Sequence, residues 1–298
     1  FVQAGGPFQA IRAHHGSAQI TLLTTNPFVD FAAAAPWFDA VWIDSRPKLL
    51  QVGGWLELRA RLRGGEFARV YDLQTSSRSS HYHSLWWPGV APEWSGIARG
   101  CTFPHANPGR DFMHTIERQA EQLAMAGIEA VPAADYSWAE RSDVSALDLP
   151  ETYAIIAPGG AAHRSDKRWP LDRFAEIAKH LAQSGITPVI IGAGSERAMA
   201  AEILKVAPDA RDVTGQTSIG QLFAMAKGAR LAIGNDTGPM HVAGLSGAAT
   251  LVLYSAASDP DLCAQRGPRT VILRENNMDQ LSVRQITEAI ARLVAPPA

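Results

Sequence analysis

The sequence predicts an α/β protein built as two doubly wound domains facing a central cleft. Three observations predict it. Short apolar strand segments alternate with helical segments through the first half, and the same rhythm restarts more cleanly near residue 153. The strands of the second half run into loops rich in glycine, acid and hydroxyl residues. At 298 residues the chain is long for one domain and suits two. In such sheets ligands bind outside the carboxyl ends of the strands, so those loops carry the functional information.

The elements follow in order. Residues 1–14 read as a helix with Ala4, Phe8 and Ile11 on one side, followed by a strand at 19–23. A helix of that kind is the crossover between two parallel strands, so a strand and its phosphate-side loop are expected ahead of Phe1. Further strands are expected at 40–43 and 70–73, with helices at 49–62 and 111–125, the second strongly amphipathic and stopped by Gly127. The stretch 131–150 has prolines and acids but no clear period, which makes it the interdomain connection. The expected domains are therefore 1–148 and 149–280, with a C-terminal helix at 281–298 that packs back on the first domain. Strands are expected at 153–157, 187–191, 210–213, 231–233 and 250–254. The helices between them are expected at 170–183 and 195–206, after Ser218, and from Pro239. Ser218 with Gln221, and Ser282 with Gln285 before a helix at 283–294, have the spacing of capping boxes.

Composition excludes several classes. Apolar residues make up 46% and charged residues 19%, the balance of a globular protein. Basic and acidic side chains nearly cancel, 27 against 29, which leaves no electrostatic footprint for nucleic acid. No apolar run approaches the roughly 20 residues that span a bilayer. Cys101 and Cys263 lack metal-ligand spacing and the nine histidines are scattered, so no metal site and no cofactor is expected. With no disulfide framework, the expected compartment is the cytoplasm.

The most informative stretch is 231–245, LAIGNDTGPMHVAGL. It reads as a buried strand, a tight polar turn and a helix opening near Pro239, where proline's missing N–H costs nothing. Unpaired N–H groups and the positive end of the helix dipole then converge on one point, which favours a phosphate. Asp236 can accept from sugar hydroxyls and His241 lies one turn into the helix; taken alone, the first reads equally as a helix cap and the second as a core histidine. Upstream, the loop 158–170 brings Gly159 and Gly160, which allow close backbone approach. The same loop brings Lys167, a compact charge for phosphate oxygens, which alone would read as part of a solvated basic loop. Gly192-Ala193-Gly194-Ser195-Glu196 echoes a dinucleotide fingerprint, but Arg197 stands where its third glycine belongs. Glu196 is placed to accept from ribose hydroxyls. Thr217 lies in a further strand-end loop that reads equally as a helix cap.

KRWP at 167–170, VIIGAGSER at 189–197, VTGQTSIGQL at 213–222, GNDTGPMH at 234–241 and SDP at 258–260 resemble, in order and spacing, glycosyltransferase family 9, the ADP-heptose–lipopolysaccharide heptosyltransferases and their relatives. YDLQTSSRSS at 71–80 is similar to that family's DLQ…R segment. The resemblance implies a GT-B fold and an inverting, metal-independent transfer of a sugar, heptose by preference, from a nucleotide-diphosphate donor. The implied donor is an ADP-sugar and the implied acceptor an anionic glycolipid or oligosaccharide of the lipopolysaccharide core or another envelope glycan. It further implies that Lys167 holds the diphosphate, Glu196 the ribose, Thr237 and Gly238 the phosphate through their amides, Asp236 the sugar hydroxyls, and that His241 supports the loop. Lys167 and Asp236 are thus the expected catalytic pair. The family's general base is an aspartate of the first loop, a position ahead of Phe1. A hydroxyl pair that heptosyltransferases place near the donor phosphates stands here as Ala162-His163.

On the acceptor side, Gln74 and Arg78 are expected to face the cleft. Arg59, Arg61 and Arg63 read either as a basic patch for an anionic acceptor or as a solvated helix face. The aromatic group His81, Tyr82, His83, Trp86 and Trp87 reads either as contact with the cytoplasmic face of the inner membrane or as packing. Trp169 reads as packing. Two other functions fit less of the sequence: a non-catalytic nucleotide-sugar-binding protein, and a nicotinamide-dependent oxidoreductase, which needs the full glycine fingerprint that Arg197 breaks.

Overall fold

The structure, a computed structural model, describes residues 1–160 and 164–295. Two compact units divide the chain, Phe1–Asp135 and Tyr136–Ala298. The division falls ahead of the expected boundary at 148, because residues 136–148 are tied into the second unit. Tyr136 stacks on Phe223 at 4.4 Å, Glu140 pairs with Lys227 at 3.2 Å, and Gln221 Nε2 donates to the Asp143 carbonyl at 2.9 Å.

The first unit runs α1 (Gly5–His14), β1 (Thr21–Thr24), α2 (Val29–Ala33), β2 (Ala40–Ile43), α3 (Val52–Gly64), β3 (Arg69–Tyr71), α4 (Ser77–Tyr82), β4 (Glu93–Gly96), β5 (Phe103–Pro104) and α5 (Thr115–Ala124). All its strand pairs are parallel, in a β1-β2 sheet and a β3-β4-β5 sheet. Two apolar clusters pack this unit: Ala10, Ile11, Leu123 and Ile128 in one, and Leu58, Leu62, Tyr82, Trp86 and Trp94 in the other. The carboxyl end of β3 is fixed by α5. The buried amide of Gln122 donates to the carbonyls of Asp72 and Ser95, and that of Gln119 to the carbonyl of Leu73.

The second unit runs β6 (Tyr153–Ala157), α6 (Leu171–Gln183), β7 (Thr187–Ile190), α7 (Arg197–Val206), β8 (Arg211–Asp212), α8 (Ile219–Gly228), β9 (Leu231–Asn235), α9 (Gly238–Leu245), β10 (Thr250–Tyr254), α10 (Pro260–Cys263), β11 (Thr270–Arg274) and α11 (Val283–Val294). Its six-stranded sheet is parallel throughout, in the order β11-β10-β9-β6-β7-β8. Helices cover both faces, so β6, β9 and β10 are buried along their whole length and read as unbroken apolar runs rather than alternating ones. Within β6 the pleat still sorts the side chains. Ala154 and Ile156 join Phe174, Ile177, Ile203 and Ile286 on one face; Tyr153, Ile155 and Ala157 join Met225, Met240 and Val252 on the other. Each fully buried Ile, Val, Phe or Met among them contributes about 2 kcal/mol. The last helix, α11, places Ile286, Ala289 and Ile290 in the first of these clusters. It is thereby an element of the second unit's core.

The strand order reverses between β6 and β9, neighbours in register from Ala154 opposite Leu231 to Ala157 opposite Gly234. A crevice opens at that reversal, because the crossovers leaving the two strands turn to opposite sides. The loops carrying Gly159, Gly160 and Lys167 and the turn carrying Asp236, Thr237 and Gly238 are the two that border it.

Candidate donor site

Asn235, the last residue of β9, is 1% exposed and ties these two loops together. Its Oδ1 accepts the Trp169 N–H at 2.9 Å, and its Nδ2 donates to the carbonyls of Pro158 and Gly159 at 2.8 and 3.1 Å. Trp169 is buried as expected, its edge against Phe174 and its indole N–H donating to the Leu281 carbonyl. Lys167 is thereby held beside the turn, and its Nζ lies 3.0 Å from Asp236 Oδ2.

Asp236 is surrounded by donors. Ser258 Oγ donates to its Oδ2 at 2.6 Å, Gln265 Nε2 donates to its Oδ1 at 3.0 Å, and the Tyr254 hydroxyl lies 3.0 Å from Oδ1. Burial alone would raise its pKa, but the hydrogen bonds from Ser258, Lys167 and Gln265, with the charge of Lys167, hold it below the ordinary carboxylate value. Burial and the neighbouring carboxylate push the Tyr254 phenol up, so it stays a neutral donor. Ser258, Tyr254 and Gln265 were not singled out from the sequence. Ser258 alone carried a signal, as the first residue of SDP; Tyr254 reads as an ordinary apolar strand residue, and Gln265 lies in a loop without a pattern.

The start of α9 carries no side-chain cap. Thr237 occupies the N-cap position of α9 with extended backbone, yet its side chain makes no capping bond. Its Oγ1 is buried and has no hydrogen-bond partner among the described residues. A buried hydroxyl in that state beside the first-turn amide of Gly238 suits an anionic oxygen. His241, in the first turn of α9, has its Nε2 3.4 Å from Gln265 Nε2.

Glu196 joins the next loop to this one. Its Oε1 accepts the Gly160 N–H and its Oε2 the Ala193 N–H, both at 2.8 Å, which leaves further lone pairs for a ribose. Gly159 and Gly192 make room for it: a Cβ on Gly159 would lie 1.8 Å from Oε1, and one on Gly192 2.6 Å from Oε2. Gly215, at φ +71°, turns the following loop so that its N–H donates to the Gly192 carbonyl at 2.8 Å. Thr217 precedes Ser218, whose expected capping box with Gln221 is present. The structure thus gathers Gly159, Gly160, Lys167, Asp236, Thr237, Gly238 and His241 around the β6/β9 reversal, with Gly192 and Glu196 adjoining through the carboxylate. The Ala162-His163 departure lies outside the described residues.

In the first unit, Gln74 is exposed just beyond β3, whereas Arg78 donates to the Pro47 carbonyl at 3.1 Å and lies over Trp55. Arg59 donates to the carbonyls of Leu85 and Trp87, and Arg61 stacks on Trp42. Those two of the three arginines have structural partners. In the aromatic group, Trp86 packs against Trp94, His83 against Trp94 and His81 against Trp55, while Trp87 is 78% exposed.

Known proteins bear on this arrangement. A curated relative, lipopolysaccharide heptosyltransferase 2 of Escherichia coli (strain K12), is 28% identical over 120 residues, 39% of this chain and 34% of its own length. The chain thus aligns with about a third of that relative. Among solved structures, E. coli ADP-heptose lps heptosyltransferase II matches with TM-score 0.78 at 19% identity, over 98% of this chain and 94% of that one. An E. coli heptosyltransferase solved with ADP matches with TM-score 0.78 at 18% identity, over 98% and 95%. These likenesses are of fold, the GT-B class. The sequence profile of glycosyltransferase family 9 (heptosyltransferase) matches residues 55–289, and the chain belongs to that family.

Proposed function

We propose that this chain is an inverting glycosyltransferase that moves heptose from an ADP-sugar to a hydroxyl of a lipopolysaccharide-core acceptor. The observation that carries the reading is the Lys167–Asp236 pair, set at the strand reversal beside the unpartnered Thr237 hydroxyl and the open start of α9. In this reading the donor diphosphate takes Lys167, the Thr237 hydroxyl and the Gly238 amide. Asp236 accepts from sugar hydroxyls and Glu196 from the ribose. As the glycosidic bond lengthens, positive charge grows on the sugar and negative charge on the leaving diphosphate. Lys167 and the helix start stabilise that negative charge without a metal ion. The acceptor oxygen attacks from the opposite face, and its proton goes to a carboxylate general base, the role the family gives to an aspartate of the first loop.

The acceptor belongs with the first unit, where Gln74 is exposed beyond β3 and Arg110 donates to Thr75 Oγ1 at 2.8 Å. Residence in the cytoplasm with peripheral contact at the inner membrane is part of the same proposal. Exposed Leu49, Leu50, Trp87 and Val90 support that contact, and among the described residues no helix is long and apolar enough to cross a membrane.

Calorimetry against ADP, UDP, GDP and NADH tests the donor. Selective ADP binding is expected, weakened about tenfold or more by Lys167→Ala, the effect of one lost hydrogen bond to a charged group. Turnover of ADP-heptose is expected to survive EDTA. A preference for UDP or GDP would change the donor, tight NADH binding alone would point to an oxidoreductase, and ADP binding without turnover on any glycan acceptor to a binding protein.

A further inference from the structure

Gln265 lies in the second unit between α10 and β11, 3% exposed, and is bonded on both sides of its amide. Its Oε1 accepts from the Tyr254 hydroxyl at 2.8 Å; its Nε2 reaches Asp236 Oδ1 at 3.0 Å and His241 Nε2 at 3.4 Å. Counting protons assigns the facing atoms of Asp236, Gln265 and His241 Nε2. Asp236 faces the ammonium of Lys167 and the hydroxyl of Ser258, so it is a carboxylate that offers only lone pairs. An amide oxygen 3.0 Å from Oδ1 would oppose two acceptors, so Nε2 must face it. Nε2 carries two hydrogens. One goes to Asp236, and the other faces the ring nitrogen of His241. A ring nitrogen that accepts holds no proton, which leaves the imidazole proton on Nδ1.

We propose that Gln265 is a positioning residue of the donor site: it locks His241 as the Nδ1–H tautomer and holds the Asp236 carboxylate in line for the sugar. This rests on the donor reading above. Lys167 is a cation bonded to Asp236, and a bound diphosphate competes for it. Ser258 and Gln265 keep the carboxylate oriented when Lys167 turns to the phosphates. Tyr254 adds a movable donor, because its single proton has both Gln265 Oε1 and Asp236 Oδ1 within 3.0 Å.

Nitrogen-15 NMR of the histidine-labelled protein, with His241 assigned by His241→Gln, reads the tautomer directly. The expected pattern is an unprotonated Nε2 and a protonated Nδ1 at neutral pH, with and without ADP. Gln265→Glu replaces the donor with an acceptor; it should move the proton to Nε2 and lower kcat about tenfold or more, while ADP affinity stays within about threefold. A protonated Nε2 in the unsubstituted protein overturns the proposal, and needs no variant to fold. Unchanged tautomer and kcat in a folded Gln265→Glu protein overturn it as well. A protein with the Nδ1–H tautomer that binds no ADP overturns the donor reading instead, so the two failures are told apart.

Discussion

At the scale of single residues, Asn235 and Asp236 are adjacent in sequence and do opposite work. Asn235 is a buried neutral staple, and Asn235→Ala removes its bonds to Trp169, Pro158 and Gly159 and leaves those backbone groups unmet. The expected loss is about 3 kcal/mol in the second unit by denaturant unfolding, with ADP affinity falling alongside because the Lys167 loop is released. Asp236 matters through its charge. Its folded pKa is lowered, so it adds stability above the unfolded value of about 3.9, and that stability is lost as pH falls through the folded value. Asp236→Asn is therefore expected to flatten the acid loss of stability in this unit and to reduce turnover far more than ADP binding. Equal losses in turnover and ADP affinity would mark Asp236 as structural. The two roles were not equally legible in the sequence. DTGPMH announced Asp236, whereas an asparagine at the end of an apolar strand looks like a turn residue until its partners, Trp169 and the 158–159 carbonyls, are brought to it by the fold.

At the scale of elements, the donor loops are shaped by what their glycines admit. Gly159→Ala would drive a Cβ into Glu196 Oε1, whose bonds to the Gly160 and Ala193 amides hold two loops together. One loop must shift, so ADP affinity is expected to fall by about tenfold while the buried sheet and its unfolding transition change little. An unchanged affinity would show that Glu196 swings clear at no cost and does not define the site. The elements that sequence reading located to the residue, β2, β6, β10 and α11, are those whose signals are local: apolar runs bounded by turn residues, and a capping box at Ser282. It passed over α2, α4, β4 and β5, in the first unit. β4 is EWSG, with serine and glycine where β-formers are expected, and β5 is two residues long. Both are strands because parallel neighbours supply hydrogen bonds, a cause that lies outside their own residues. β11, TVILR, has strand composition but no counterpart in the sequence reading; it lies half-buried at the sheet edge after a segment without periodicity.

At the scale of the whole molecule, two compact units with separate cores predict unfolding in more than one step. The proposed donor residues all belong to the second unit, so a donor nucleotide should stabilise that unit by mass action: about 2.7 kcal/mol at a concentration one hundred times Kd. Reporter substitutions identify the transitions. Leu123→Ala opens a cavity in the first unit and Ile233→Ala one in the second, each at a fully buried site and each costing a few kcal/mol. In scanning calorimetry, ADP is expected to raise the transition that Ile233→Ala lowers and to leave in place the one that Leu123→Ala lowers. Acid should separate the same two transitions. In the first unit, burial raises the pKa of Asp72, so stability is gained there as the pH falls from its folded value to the unfolded value of about 3.9; below that, the second unit loses the contribution of Asp236. Lowering the pH should thus raise the first unit's transition above about pH 3.9 and then lower the second unit's below it, and Asp72→Asn and Asp236→Asn should each remove one of the shifts. If ADP instead raised both transitions together, the units would unfold as one, and the donor's binding energy would be shared by the first unit as well.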